Sequence, residues 1–267
     1  MEILHSRFVG EGRPFLILHG YFGMGDNWKS LANQFGEHFQ MHLIDQRNHG
    51  RSFHADEFDY KLMVEDLHNY IQHHELEQII LLGHSMGGKT AMLFAVDYPE
   101  MVNKLIIADI SPRYYQPHHN EILKALNSID FSIHSSRKLL EEQLAHYIPE
   151  LGVRQFLLKS VYWREKGQLD FRFNLDSLTE NNSEVGTALP SFTSFEGDVL
   201  FLAGRNSDYI TENEIPIIKA HFPKARIDTI ANAGHWLHAD NPKEFYEKVI
   251  RFLLGVRQIS LICLCED

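Results

Sequence analysis

The chain has 267 residues, of which 44% are hydrophobic and 23% charged, and its formal net charge is −11. This composition is typical of a soluble globular protein with one large domain, or with a core and a smaller insert. The acidic balance disfavours binding to nucleic acid or to anionic membranes, because both attract basic surfaces. No apolar stretch approaches the ~20 residues that cross a bilayer, so we expect neither a nucleic-acid partner nor a membrane partner.

The two ends of the chain carry no recognisable targeting or metal signal. The first residues lack a basic region followed by an apolar run, so we predict no signal peptide and a cytoplasmic protein. Cys263 and Cys265 lie in a C-terminal tail, residues 255–267, to which the sequence assigns no role. In a reducing compartment we expect them to be free thiols.

The histidine pairs at 73–74 and 118–119 lack converging ligands, so we expect no metal.

Short apolar runs alternate with helical patterns along most of the chain. Runs that are apolar on both faces are typical of buried parallel strands, and helical patterns at 63–74 and 89–98 lie between some of them. This rhythm predicts a mostly parallel central sheet flanked by helices. A final helix should begin after Asn241, which can cap it, with Pro242 in its first turn. The six predicted strands are 15–18, 41–44, 79–82, 105–108, 199–202 and 227–230.

The segment from 112 to 194 interrupts this alternation. It shows no clear buried strand and has helical patterns around 139–148 and 156–161. Some 80 residues are too many for a simple loop. We therefore predict a helical lid at 112–194, inserted between the two parts of a core formed by residues 1–111 and 195–254.

A nucleophile motif follows the third predicted strand. Residues 83–87 read Gly-His-Ser-Met-Gly, which fits G-x-S-x-G, and a helix-forming stretch comes next. A serine on a sharp turn between strand and helix projects its hydroxyl above the sheet edge, and the helix N-terminus favours developing negative charge. The strand-turn-helix context therefore predicts that Ser85 is a catalytic nucleophile.

An oxyanion hole would need two backbone donors close to that serine. The first predicted strand ends in the turn His-Gly-Tyr-Phe-Gly at 19–23. A turn at this position can offer one N–H group, and the residue after the nucleophile offers the other. We predict that the N–H groups of Tyr21 and Met86 form the pair.

The base and the acid must come from later strand ends. His235, in Ala-Gly-His after the last predicted strand, would lie at the carboxyl edge of the sheet, with His238 as the nearby alternative. The order serine, acid, histidine suits this type of fold. Asp109 ends one strand and Asp208 follows another, and either could orient the imidazole.

With these motifs in place, the sequence resembles the α/β-hydrolase superfamily, and within it the YbfF group of bacterial esterases. The resemblance implies an α/β-hydrolase fold with a helical lid, small acyl esters or thioesters as substrates, and no cofactor. It favours Asp109 as the acid, because that group has Asn-Ser where most relatives place the later aspartate. It also implies that Asp45 and Arg47 have a structural role and mainly hold the neighbouring loops. The motifs that carry it lie at 19–23, 45–52, 83–89, 109–112, 155–160, 206–207 and 233–239.

The leading hypothesis is therefore a serine carboxylic-ester hydrolase with a Ser85–His235–Asp109 triad. A carbon–carbon bond hydrolase or lyase on the same scaffold is an alternative, and it would need cationic lid residues such as Arg113, Arg154, Arg164 or Arg172 to hold a carboxylated substrate. A non-catalytic ligand receptor is a third reading. A dehalogenase is disfavoured, because its nucleophile is a carboxylate. The lid aromatics Tyr162, Trp163, Phe171 and Phe173 are candidates to line the pocket.

Overall fold

Nine strands and ten α-helices make up the regular structure of the computed structural model, which describes residues 2–117 and 119–255. The strands are β1 (Ser6–Val9), β2 (Pro14–Leu18), β3 (Gln40–Ile44), β4 (Ile79–His84), β5 (Val102–Ala108), β6 (Val161–Glu165), β7 (Gln168–Phe171), β8 (Asp198–Gly204) and β9 (Arg226–Ile230). The helices are α1 (Lys29–Phe35), α2 (Tyr60–His73), α3 (Met86–Asp97), α4 (Asn120–Asn127), α5 (Arg137–Ala145), α6 (Leu151–Lys159), α7 (Leu175–Glu180), α8 (Ile215–His221), α9 (Leu237–Asp240) and α10 (Pro242–Leu254). Tail residues Cys263 and Cys265 lie outside the described part.

Seven strands form one sheet in the order β1-β3-β2-β4-β5-β8-β9. All neighbours are parallel except β1, which pairs antiparallel with β3 at the edge. The predicted mostly parallel sheet flanked by helices is confirmed. The edge strand β1 was not predicted, because it is short and only partly buried and so lacks an apolar run.

Helices cover both faces of this sheet, so its central strands are buried on each side. On one face, Phe35 of α1 and Phe245 of α10 belong to the same apolar cluster. On the other face, Tyr70 of α2 and Met92 of α3 belong to a larger cluster. Parallel sheets with both faces covered need such continuous apolar strands. The carboxyl ends of β2, β4, β5 and β8 consequently meet at one edge, where four loops can converge.

Segment 112–194 contributes helices α4 to α7 and no strand to the main sheet. Buried leucines of this segment, among them Leu140 and Leu157, join the larger apolar cluster. The segment is not wholly helical, because β6 and β7 form an antiparallel hairpin. Gly167, with a φ of +88°, lies in its turn, where glycine avoids the strain of a left-handed backbone. The division into core and lid remains a prediction.

Two charged residues next to β3 hold the surrounding loops. Asp45 accepts hydrogen bonds from the N–H groups of Gly25, at 2.7 Å, and Arg51, at 2.9 Å. Arg47 makes a bidentate ion pair with Asp66 of α2, at 2.5 and 2.9 Å. Burial raises the pKa of Asp66, and the Arg47 guanidinium acts against that rise. The guanidinium therefore offsets part of the cost of burying this carboxylate.

Replacing Arg47 by methionine should destabilise the fold by about 3–5 kcal/mol, because Asp66 would be left as an uncompensated buried charge. Urea unfolding at pH 7 measures the change. The exposed i,i+4 pair of Lys138 and Glu142 offers a control, since its side chains are 85% and 53% exposed. Glu142→Gln should leave the free energy of unfolding unchanged within error, and equal effects of the two variants would contradict the prediction.

Candidate active site

Ser85 occupies the sharp turn between β4 and α3. Its φ of +53° lies in the left-handed region that non-glycine residues rarely adopt. A Cβ on Gly83 would come within 2.1 Å of the Gly87 carbonyl oxygen, and a Cβ on Gly87 within 2.4 Å of the Leu18 carbonyl oxygen. Only glycine therefore fits on either side of the turn. The hydroxyl of Ser85 emerges at the sheet edge as a result.

Asp109 comes directly after β5, the neighbouring strand, and is completely buried. It also has a left-handed backbone, with a φ of +51°. Its Oδ1 accepts the Gly204 N–H at 2.9 Å, and its Oδ2 accepts a short hydrogen bond from the Ser207 hydroxyl. Both oxygens of this buried carboxylate therefore have hydrogen-bond donors.

His235 lies between the serine and this aspartate. Its Nδ1 is 2.8 Å from Asp109 Oδ2, and its Nε2 is 3.0 Å from Ser85 Oγ. The ring of Tyr209 stacks on the imidazole with centroids 3.9 Å apart. The structure thus brings Ser85, His235 and Asp109 into one hydrogen-bonded line. Asp208, the other candidate acid, is exposed.

His238, the other candidate base, has a different environment. Its ring stacks on Trp28 with centroids 4.0 Å apart. Burial lowers its pKa to about 3, and His235 contributes a smaller lowering. The neighbouring His84 has its pKa lowered well below the usual value, first by burial, and its Nε2 donates to the His235 carbonyl oxygen at 2.8 Å. Both rings are therefore neutral supports of the loop that carries His235.

The turn after β2 passes directly beside the nucleophile. A Cβ added to Gly20 would lie 3.3 Å from the Ser85 Cβ. The backbone of the next residue, Tyr21, therefore follows directly beside the serine. The Phe22 N–H donates to His49 Nε2 at 3.2 Å. Within residues 2–117 and 119–255, the N–H groups of Tyr21 and Met86 donate to no protein acceptor. Both N–H groups are therefore available as hydrogen-bond donors.

Two buried histidines shape that turn. His19 Nδ1 donates to the Gly20 carbonyl oxygen at 2.8 Å, and His49 Nδ1 donates to the Arg47 carbonyl oxygen at 2.9 Å. Burial lowers the pKa of His19 to about 4 and that of His49 to about 3. Both imidazoles are neutral at pH 7, and each holds loop backbone in place. Both histidines lie in sequence motifs, but their role in holding the loop backbone is not predictable from the sequence.

A cavity of about 270 Å³ opens above Ser85 and His235. Its walls are largely apolar, and no lysine or arginine lines it among the described residues. Segment 112–194 provides the side opposite the sheet, through Ile122, Val153, Phe156 and Leu157. Such a site suits an uncharged organic group.

The predicted lid aromatics lie elsewhere. Tyr162, Phe171 and Phe173 line a separate cavity between segment 112–194 and His54, and Trp163 is 58% exposed. Phe156, Trp236 and Tyr209 are the aromatics at the Ser85 cavity besides those of the β2 turn and Trp28. The four predicted aromatics lie in or next to the β6–β7 hairpin, and the packing of segment 112–194 decides which of its residues face the nucleophile.

Residues 2–117 and 119–255 offer neither a cluster of metal ligands nor a helix that could span a membrane. No group of three or more histidine, cysteine, aspartate or glutamate side chains in this part is arranged to hold a metal ion. None of the helices described is both long and apolar enough to cross a membrane. The cytoplasmic location remains a prediction.

Known proteins resemble this chain over nearly its whole length. Residues 13–137 match the family model of the alpha/beta hydrolase fold. The zebrafish (Danio rerio) protein named sn-1-specific diacylglycerol lipase ABHD11 is 36% identical over 91% of this chain and 79% of its own length. Esterase YbfF of Escherichia coli strain K12 is 32% identical over 90% of this chain and 92% of its own. A solved structure titled marine microorganism esterase has 46% identity and a TM-score of 0.92, covering 94% of this chain and all of its own.

The chain belongs to the α/β-hydrolase family. The predicted resemblance to the superfamily and to the YbfF group is confirmed, and so is the prediction of a serine ester hydrolase at the level of this class.

The close packing around the turn makes a direct prediction. Gly87→Ala should lower both stability and the reactivity of Ser85, because the new Cβ would force the Leu18 carbonyl and α3 apart. Gly152→Ala is the control, since a Cβ there meets nothing within 4 Å and alanine suits a helix better than glycine. Thermal unfolding and labelling by a fluorophosphonate probe measure the two effects. Wild-type labelling by Gly87→Ala would contradict this account of the turn.

Proposed function

We propose that the protein hydrolyses small carboxylic esters, or thioesters, through an acyl-enzyme on Ser85. The observation that carries the proposal is the unbroken line from Ser85 Oγ through His235 to Asp109, at 3.0 and 2.8 Å, on the floor of an apolar cavity. A hydroxyl, an imidazole and a buried carboxylate in this order form the arrangement that activates a serine.

Each group has a defined task in the proposed reaction. His235 Nε2 takes the Ser85 proton as Oγ attacks the acyl carbonyl, and Asp109 stabilises the imidazolium that forms. The N–H groups of Tyr21 and Met86 hold the negative oxygen of the tetrahedral intermediate. The imidazolium then protonates the leaving alcohol or thiol. Water, activated by the same imidazole, releases the acid and restores Ser85.

The size and the apolar lining of the cavity favour substrates with a small, uncharged acyl group. Its volume of about 270 Å³ is at the lower end of the ~300–1,000 Å³ of sites for drug-sized ligands. The zebrafish relative is named for diacylglycerol, a much larger ester. Hydrolysis of such a lipid by this chain would require the lid helices to move apart. We therefore place short-chain esters first, with diacylglycerol as a comparison substrate.

The other two readings receive less support. A carbon–carbon bond hydrolase acting on carboxylated substrates needs cations at the site, but Arg113 pairs with Glu214 and Arg154 with Glu141, both away from the cavity. A non-catalytic receptor would not need the buried carboxylate, whose three hydrogen bonds hold it in line with His235.

Hydrolysis of a p-nitrophenyl ester series, from acetate to decanoate, tests the function. We expect the highest kcat/KM with short chains, and Ser85→Ala should reduce kcat at least about 10³-fold because the nucleophile is gone. A fluorophosphonate probe should label the wild type at Ser85 and leave the variant unlabelled, as mass spectrometry would record. Undiminished turnover by Ser85→Ala would overturn the proposal, and preferred cleavage of diketones over esters would favour the carbon–carbon reading.

A second prediction separates the two candidate acids. Asp109→Asn should lower kcat by about 10⁴-fold, because asparagine does not stabilise the imidazolium. Asp208→Asn is the matched control, and we expect near wild-type kcat because that side chain is exposed. Circular dichroism checks that both variants fold. The reverse pattern of rates would assign the acid to Asp208.

A further inference from the structure

Two stretches of chain connect segment 112–194 to the core, and together they form a neck, residues 111–115 on the way out and 186–189 on the way back. The neck is partly held by its own backbone: the Tyr115 N–H donates to the Gly186 carbonyl oxygen at 2.8 Å, and the Leu189 N–H to the Pro112 carbonyl oxygen at 2.9 Å. A lysine side chain enters it from the core.

That side chain is Lys89 of α3, which is 1% exposed. Its ammonium donates to three carbonyl oxygens: Pro112 at 3.2 Å and Arg113 at 2.5 Å on the outgoing stretch, and Thr187 at 2.9 Å on the returning one. All three of its N–H donors can therefore be used. A single charged group thus ties both stretches of the neck to the core.

We propose that Lys89 is a positioning residue of the active site, whose ammonium fixes the neck and thereby the lid wall of the cavity over Ser85. The proposal rests on the esterase function proposed above, because it concerns how that site receives its substrate. Lys89 touches neither the nucleophile's hydroxyl nor the cavity, so it would act through the backbone that it holds.

The position of Lys89 on α3 also connects it to the backbone of the nucleophile. The Lys89 N–H donates to the Ser85 carbonyl oxygen at 3.1 Å. The same first turn of the helix therefore sets the backbone of the nucleophile at one end and the neck at the other. The wall beyond the neck includes Ile122 and Phe156, which line the cavity.

A second connection runs to the histidine side of the site. The Lys89 ammonium lies 5.3 Å from the centre of the Tyr115 ring. The Tyr115 hydroxyl donates to the Tyr209 carbonyl oxygen at 2.6 Å, and the Tyr209 ring stacks on His235. The neck is therefore connected through Tyr115, on which Arg113 also lies at 3.7 Å, to the ring that packs on His235.

A side chain that only filled space in the core would not need the amino group of Lys89. Among the described ion pairs none involves Lys89, and Arg113, whose charge acts on the lysine, is also cationic and pairs with Glu214. Burial, with a smaller contribution from Arg113, lowers the pKa of Lys89 to about 7. A methionine would fill the same space without this desolvation cost. What it would lack is the ability to bind three carbonyl groups.

The test compares the full chain carrying Lys89→Met, Lys89→Gln or the control Lys104→Met. Lys104 is a partly buried lysine of β5 that likewise donates to a carbonyl oxygen, that of Phe252 at 3.2 Å, and its partners Phe252 and Asp198 lie outside the neck. For Lys89→Met we expect kcat/KM for p-nitrophenyl butyrate to fall about 10- to 100-fold, with a smaller loss for the acetate, which reaches less of the lid wall. Glutamine keeps N–H donors and should recover part of the loss. Lys104→Met should match the wild type.

Hydrogen exchange supplies the readout that does not depend on turnover. Amides of α4 and α6 should exchange faster in Lys89→Met, while those of β4, β5 and β8 keep wild-type protection. Equal losses on both esters with faster exchange in the strands, no change in lid exchange, or failure of both Lys89 variants to fold would each overturn the proposal. If the wild type cleaves no ester, the proposed function fails, and lid exchange alone decides whether Lys89 ties the neck.

Discussion

The left-handed backbone of Ser85 is the constraint to which the rest of the site is fitted. It exists because Gly83 and Gly87 let β4, α3 and the end of β2 approach more closely than any side chain would allow. That close approach also places the Tyr21 turn beside the serine. Parallel strands then deliver Asp109 and the His235 loop to the same edge, although His235 is 150 residues from Ser85 in sequence.

Electrostatics selects one histidine among the 17 in the chain. His19, His49, His84 and His238 surround the site, but burial lowers the pKa of each, so they remain neutral and serve as hydrogen-bonding or stacking supports. His235, in contrast, lies between the Ser85 hydroxyl and the Asp109 carboxylate and is partly open to the cavity. A proton taken from Ser85 would therefore be stabilised on His235 rather than on the rings around it.

The features that were predictable from sequence are those with a local signature. Strands apolar on both faces, the G-x-S-x-G turn and the cap at Asn241 depend on neighbours in sequence. The edge strand β1 and the β6–β7 hairpin were missed, because their residues are partly exposed and show no apolar run. Spacing alone left Asp109 and Asp208 open, since both follow strands that end at the same edge. The lid aromatics were misplaced because their direction depends on how the lid docks.

The carboxylate beside His235 is held by groups from two neighbouring strand ends. The buried Asp109 carboxylate reaches His235 from the end of β5, and the Ser207 hydroxyl, from the loop after β8, donates to the oxygen that His235 contacts. A carboxylate at 208 is one residue further along that loop and is exposed. The β8 loop thus supplies a hydrogen-bond donor to the carboxylate, and the Gly204 N–H and the Ser207 hydroxyl together satisfy its two oxygens. What the imidazole requires is a fixed, charged oxygen at Nδ1, and two adjacent strand ends can supply it in combination.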